Sequence, residues 1–441
     1  LGLSYFFICF FVDILKNIIF GGAGLLEILL IPAAVGAIGI LGPKFGKMSD
    51  RKKVEKIFKN VGIGIKDKVM KDGHEVTKWT YPRFHKKEVI KDGEEQVGTR
   101  YIYSMPLGSS SKILDKVKEA HIFVEGLNKP VDVEYDKVIG KVHIDVFDRH
   151  TPEMVELKSI PDTKGWKVPI GQNYKETIWH DFEKIPHQTV AGTTRYGKTV
   201  FMKSSMTYLI EQHPKDVEFI IIDLKGGLEF HAYRGLQQVQ YVASNASDAY
   251  KILKSVKENM RKLEILFKQR NYTNVVDSPI KRRTFILVDE AAQLASEPWM
   301  KPEVKKVLGE CQSILSEVAR IGGALGYRLI YGTQYPTADT LPRQIKQNAD
   351  AKISFRLPTG YASAVAIDDY GAEELPSGKP GRGLFKTHEL REFQAPYISD
   401  EEMRERLMKY EIVKILDVNP DDVVEYAEEN DTRGTDLVKF R

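Results

Sequence analysis

Eight residues, Gly192-Thr193-Thr194-Arg195-Tyr196-Gly197-Lys198-Thr199, constrain this chain more than any other feature. They satisfy the spacing G-x-x-x-x-G-K-[ST] and stand between an apolar run, Gln188-Thr189-Val190-Ala191, and a segment of helical pattern. Glycines at both ends let the backbone curl so that its amides converge. A helix starting near Gly197 adds its positive N-terminal end. Such a loop suits phosphate. Residues 192–199 are therefore expected to cradle a nucleotide, with Lys198 bridging the β- and γ-phosphates of ATP and the Thr199 hydroxyl ligating Mg²⁺.

A second acidic element supports this reading. Phe285-Ile286-Leu287-Val288-Asp289-Glu290 is an apolar strand that ends in two carboxylates. Taken alone, such an end can simply cap the next helix. Downstream of a phosphate loop it predicts that Asp289 holds the metal ion through water and that Glu290 polarises the attacking water as general base. Gly332-Thr333-Gln334 ends the next apolar run, and Gln334 is expected to reach the γ-phosphate. Together these residues predict ATP hydrolysis.

The surrounding pattern predicts an α/β fold. From residue 167 onward, apolar runs at 188–191, 217–223, 239–243, 284–289, 328–332 and 351–356 alternate with helical segments, the signature of a parallel sheet wrapped by helices. The plainest helix, 247–270, carries Tyr250, Leu253, Val256, Met260, Leu263 and Phe267 on one stripe. Its row of Lys251, Lys254, Lys257 and Arg261 reads as a solvated face. Upstream, 81–108 reads as two strands around Lys91-Asp92-Gly93, 110–124 as a helix, and 131–134 and 142–147 as strands. The expected organisation is a small α/β domain over 81–148, a linker over 149–166, and a RecA-like ATPase domain with a parallel sheet over 167–398.

The ends differ in character. Residues 1–12 and 28–43 are apolar, each near the lower limit for a membrane span, and together suggest a transmembrane hairpin over 1–43. A cleaved signal peptide is disfavoured because no basic leading region precedes the apolar run; a buried soluble hairpin is the other reading. Lys44, Lys47, Arg51, Lys52 and Lys53 open a basic juxtamembrane segment, 44–80, which the positive-inside rule places in the cytoplasm. The expectation is a multi-pass protein of the cell membrane with its ATPase domain in the cytoplasm. A net charge of +4 hides this polarity, because 399–441 forms an acidic tail. The only cysteines, Cys9 and Cys311, offer neither a disulfide framework nor zinc spacing.

In order along the chain, Ile185-Pro186-His187-Gln188-Thr189-Val190-Ala191-Gly192-Thr193-Thr194, Ile221-Ile222-Asp223-Leu224-Lys225-Gly226-Gly227, Thr333-Gln334-Tyr335-Pro336, Ile353-Ser354-Phe355-Arg356 and 368–375 resemble segments of the FtsK/SpoIIIE family of DNA translocases. The likeness runs from about residue 167 to residue 398, with a fainter one over 81–148. It implies a homo-hexameric ring with DNA in its channel, and gives Lys198, Thr199, Asp289, Glu290 and Gln334 the roles argued above. An arginine from a neighbouring subunit is implied as well. The family's usual arginine position holds Gly323 here, so Arg320, Arg328 and Arg382 are the candidates. Two segments are placed in the channel by the resemblance, with Lys301, Lys305 and Lys306 in the first and Arg343 and Lys346 in the second.

The loop residues Arg195 and Tyr196 are bulkier than the family's usual small ones, and no winged-helix module follows the ATPase. These departures favour the compact, TcpA-like coupling proteins of conjugative elements in Gram-positive bacteria. That reading implies delivery of a DNA–relaxase complex (a relaxosome) to a type IV secretion channel. A chromosome-segregation translocase, or an ATPase that recruits protein substrates to a secretion machine, are the alternatives.

Overall fold

A computed structural model describes residues 48–412 apart from Asp72, Gly73 and Gly226. The expected transmembrane hairpin and most of the acidic tail lie outside these residues. Among the described residues, no helix is long and apolar enough to cross a membrane. The chain divides into two compact units, 1–88 with 100–146, and 89–99 with 147–441.

The first unit contains α1 (Asp50–Val61), β1 (Ile65–Lys71), β2 (His74–Thr80), most of β3 (Arg83–Asp92) and β4 (Glu95–Ser104), then α2 (Ser111–Lys118), α3 (Ala120–Leu127), β5 (Val131–Asp136) and β6 (Lys141–Phe147). β1 and β2 pair antiparallel, and a separate four-stranded sheet runs β3-β4-β6-β5. The expected single helix over 110–124 is two, broken at Glu119, whose ψ of 76 leaves the helical region. Part of the basic segment 44–80 also belongs to this unit. Val54 and Phe58 of α1 are buried with Tyr103 and Phe123, and the Phe58 ring meets Tyr103 edge-on at 5.0 Å. Burial of such rings makes α1 a core element rather than a tether.

The second unit is built on one ten-stranded sheet. In chain order its elements are β7 (Val155–Glu156), β8 (Lys167–Gln172), β9 (Thr177–Asp181), β10 (His187–Ala191), α4 (Lys198–Gln212), β11 (Val217–Ile222), β12 (Val239–Ala243), α5 (Ala246–Arg270), β13 (Arg283–Val288), α6 (Pro302–Ile321), β14 (Tyr327–Thr333), α7 (Arg343–Asn348), β15 (Ala351–Phe355), α8 (Gly360–Ile367), β16 (Arg382–Lys386), β17 (Leu390–Gln394), β18 (Pro396–Tyr397) and α9 (Asp400–Leu407). The sheet order is β12-β11-β13-β14-β10-β15-β16-β17-β8-β9. The six strands expected from the sequence form its parallel half. The other four are antiparallel and correct the expectation of a purely parallel sheet. Polar residues interrupt their apolar runs, and β8 also carries Pro169 and Gly171, which weakens the pattern.

The parallel strands are buried on both faces, which explains their unbroken apolar character. One face packs against α4, whose Phe201, Met202, Met206, Leu209 and Ile210 are buried. The other packs against α5 and α6. Local chemistry sets the ends of α5: the Asn245 side chain accepts from the Asp248 amide at 3.0 Å, and Asn271 closes the helix in the left-handed conformation. Pro302 starts α6.

Two expected boundaries move. β7 lies within the supposed linker and pairs with β18, and Leu157 and Trp166 join the main core. The supposed tail begins with α9, whose Met403 and Leu407 are buried in that core.

The N-terminal ends of the strands hold a buried charge cluster. Glu183 receives Arg283 at 2.8 Å and Arg328 at 3.2 Å. Burial works to raise the Glu183 carboxyl, but the hydrogen bond from Arg283 and the charge of Arg328 outweigh it and hold it below its ordinary value. Nearby, His180 and His187 are pushed down to about 3 by burial, so both fold as neutral rings. An unfolded histidine accepts its proton near pH 6.5, so these two favour the folded state fully above that pH and less below it. Unfolding free energy measured in urea is expected to fall between pH 7 and pH 5, by at most roughly 1.4 kcal/mol per pH unit for each ring. His180→Phe is expected to flatten that fall.

Candidate functional site

The loops after five adjacent parallel strands meet at the C-terminal edge of the sheet, where open α/β folds bind ligands. β10 leads into residues 192–199, β13 into Asp289 and Glu290, β14 into Gln334, β11 into Asp223 and Lys225, and β15 into Arg356. The sheet order therefore gathers segments that are far apart in sequence.

Close backbone contacts shape the phosphate loop. Gly192 lies against Phe355, whose Cβ would be only 2.8 Å from a side chain placed there. Gly197 has φ 109 and would drive a Cβ to 3.0 Å from Gly381. Arg195 takes the left-handed conformation at φ 73, and its side chain and Thr194 are exposed. Thr193 is tied down by its amide and hydroxyl to the Arg356 carbonyl. Tyr196 packs on the main core, and its carbonyl accepts from the Gly381 amide at 3.0 Å. The bulky loop residues are thus divided between solvent and core.

Lys198, Thr199, Asp289, Glu290 and Gln334 come together at this edge. Lys198 is buried and donates to the Asp289 carboxylate at 2.8 Å and also to the Asp289 carbonyl. Thr199 Oγ1 donates to the same carboxylate oxygen at 3.3 Å. Burial works to raise the Asp289 carboxyl, but the charge and hydrogen bond of Lys198, then the charge of Lys225, hold it below its ordinary value. Glu290 is oriented through one oxygen, which accepts from the Gln334 amide at 3.1 Å and from Thr333 Oγ1 at 3.5 Å. Its Oε2, like Asp289 Oδ2, is buried without a hydrogen-bond donor. Gln334 Oε1 accepts from Thr194 at 3.3 Å, linking the phosphate loop to β14.

This donor set fits a nucleotide triphosphate. A cleft of about 430 Å³ runs from Thr193, Lys198, Thr199 and Gln334 to Tyr397 and Asp400. At its far end the sequence reading missed a group: Lys203 donates to Asp400 at 2.9 Å and to Glu229 at 3.2 Å. Lys225 and Gly381 were missed as well. Both line the cleft, Lys225 after β11 and Gly381 in the turn before β16.

The arginine candidates separate by burial. Arg328 is 1% exposed, bound to Glu183 and to two backbone carbonyls, and is ruled out as a group for a neighbouring subunit. Arg382 is ruled out likewise. It is 7% exposed and held by Glu392, Gln394 and the Pro152 carbonyl. Arg320, in the last turn of α6, is exposed. Of the channel candidates, Lys301, Lys306 and Arg343 are exposed, as is Trp299. Lys305 is bound to the Pro298 carbonyl, and Lys346 is committed to Asp368 at 2.7 Å, so it is corrected to a structural contact.

The fold and this site define the second unit as a P-loop ATPase. The FtsK/SpoIIIE family model matches residues 162–367. The DNA translocase FtsK of Lactiplantibacillus plantarum is 26% identical over 276 residues, which cover 57% of this chain and 33% of that protein. The type VII secretion system protein EssC of Staphylococcus aureus is 32% identical over 293 residues, covering 58% of this chain and 19% of that protein. The chain therefore spans a third or less of these curated relatives. Among solved structures, the pCW3 conjugation coupling protein TcpA, in its monomer form with ATPγS, aligns with a TM-score of 0.55 at 22% identity. That alignment covers 82% of this chain and 99% of the other.

Lys198→Ala is expected to abolish nucleotide binding. Glu290→Gln is expected to bind ATP normally while turnover falls by about 10²-fold or more, since only the group that takes the water's proton is lost. Nucleotide affinity and steady-state phosphate release measure the two effects separately.

Proposed function

We propose that this chain is an ATP-driven DNA translocase that acts as a conjugative coupling protein. The observation that carries the reading is the extent of the likeness to TcpA: it reaches well beyond an ATPase core on this side and takes in nearly the whole of the other chain. The FtsK relative supports DNA as the polymer moved. In this reading Thr199 and Asp289 would hold the Mg²⁺ that accompanies ATP, and the ion would lend positive charge to the transferring phosphoryl group. Glu290 Oε2 takes the proton of the attacking water, while its other oxygen stays fixed by the Gln334 amide.

The working assembly is a homo-hexamer anchored in the cell membrane by the segment preceding residue 44, with the ATPase in the cytoplasm. Arg320 completes the site of the adjacent subunit. Lys301, Lys306 and Arg343 hold the phosphate backbone, and Trp299 offers a ring to the bases. The relaxase–DNA complex is the cargo, and a type IV secretion channel receives it. A chromosome translocase would share all of this except the relaxase.

A second reading, recruitment of protein substrates to a secretion machine, is favoured by the EssC relative. The two separate in one assay. DNA, but not an exported protein or its signal peptide, is expected to stimulate ATP turnover by the full chain; stimulation by the protein alone would reverse the choice. Replacing Lys301 and Arg343 by Ala is expected to weaken DNA binding equally across sequences and to flatten its salt dependence by about one unit per residue. Turnover without DNA is expected to survive that change.

A further inference from the structure

A second lysine stands at the reaction centre. Lys225 follows β11 in a loop that Asp223 fixes from beneath. Asp223 is fully buried, and its carboxylate accepts from the Glu229 amide at 3.0 Å, the Phe230 amide at 3.1 Å and the Lys225 amide at 3.3 Å. Its carbonyl accepts from Gly227, which has φ 75. Phe230 is buried in the main core. The backbone that carries Lys225 is therefore pinned at both ends, and only the side chain has latitude.

The ammonium group lies 3.6 Å from Asp289 Oδ2 and 3.7 Å from Glu290 Oε2. These are the two carboxylate oxygens that no hydrogen-bond donor satisfies. At such distances Lys225 neutralises charge without committing its N–H groups. The side chain is 30% exposed and lines the cleft with Lys198, Thr199 and Gln334. Lys198, by contrast, closes on Asp289 at 2.8 Å.

We propose that Lys225 is a catalytic residue for ATP hydrolysis, donating to the γ-phosphoryl oxygens as negative charge spreads over them. In the step it serves, the water oxygen bonds to the γ-phosphorus while the bond from that phosphorus to the β,γ-bridging oxygen breaks. The electron pair stays on the bridging oxygen of ADP, and the water's proton passes to Glu290. Lys198 is bound to Asp289, whereas Lys225 lies near both Asp289 and Glu290, beside the base. The site then carries a cation of its own chain at the γ-phosphate, independent of any arginine from a neighbour and of the polymer being moved.

Such a donor acts on the transition state more than on bound nucleotide. In the full chain, Lys225→Met is expected to bind ADP within about threefold of the unaltered protein. Its turnover is expected to fall by about 10²- to 10³-fold, the range for losing one preorganised donor. Aluminium fluoride, which mimics the transferring phosphoryl group, is expected to tighten ADP binding in the unaltered protein and no longer in the variant. Lys225→Arg is expected to recover part of both effects. Lys225→Gln, which keeps a donor without the charge, reads the same comparison if the methionine variant loses its fold. Turnover within threefold of the unaltered protein overturns the proposal. So does an equal loss of affinity for ADP and for ADP with aluminium fluoride, which would make Lys225 a structural charge balance only.

Discussion

Two adjacent carboxylates, Asp289 and Glu290, sit just past the apolar end of β13 with 0% and 3% exposure. Burying one charge is costly, and burying two side by side is prohibitive unless every oxygen faces a donor or a cation. The surrounding loops meet that requirement. Lys198 and Thr199 come from the phosphate loop, the Gln334 amide from β14, and Lys225 from β11. These groups come from three different strand ends, so β10, β11, β13 and β14 must be side by side before the acids are compensated. The site is thus a consequence of the sheet order as much as of the motif.

The same argument explains why compensation stops short of completion. Asp289 Oδ2 and Glu290 Oε2 are buried without hydrogen-bond donors and face only the Lys225 ammonium group at 3.6 and 3.7 Å. Fully satisfied carboxylates would be more stable but less free to exchange a partner. The close packing of Gly381 on Gly197 and of Phe355 on Gly192 holds the neighbouring phosphate loop in place.

Much of this was legible in the sequence, because the parallel strands are buried on both faces and read as continuous apolar runs with the functional residues at their ends. Six strands and the site residues Lys198, Thr199, Asp289, Glu290 and Gln334 were found that way. The antiparallel half was not, since β8, β9, β16 and β17 are short and interrupted by polar or small residues. The first unit's α1 was hidden by its lysines. Its buried positions, Val54 and Phe58, are only two in twelve residues, and the charged remainder masks them. Lys225 left a faint trace, a cation directly after an apolar strand ending in Asp, but its partners lie more than sixty residues away.

Cations proved the least legible of all, and the reason is positional. Arg283 and Arg328 enter the sheet at the N-terminal ends of β13 and β14, where they share Glu183 and are almost wholly enclosed. Lys198 and Lys225 face the acids beyond the C-terminal ends. All four are cations paired to carboxylates, and sequence alone does not say which end of a strand a side chain reaches. The two ends nevertheless have opposite duties. At the N-terminal ends the guanidinium groups are held by carbonyls and a carboxylate, so removing Glu183 would strand two buried charges and cost stability. At the C-terminal ends, pairing is looser by nearly an ångström at Lys225 than at Lys198, and both cations line the cleft. Position at one end of the strands or the other, more than residue type, separates the cations that hold the fold from those that face the cleft.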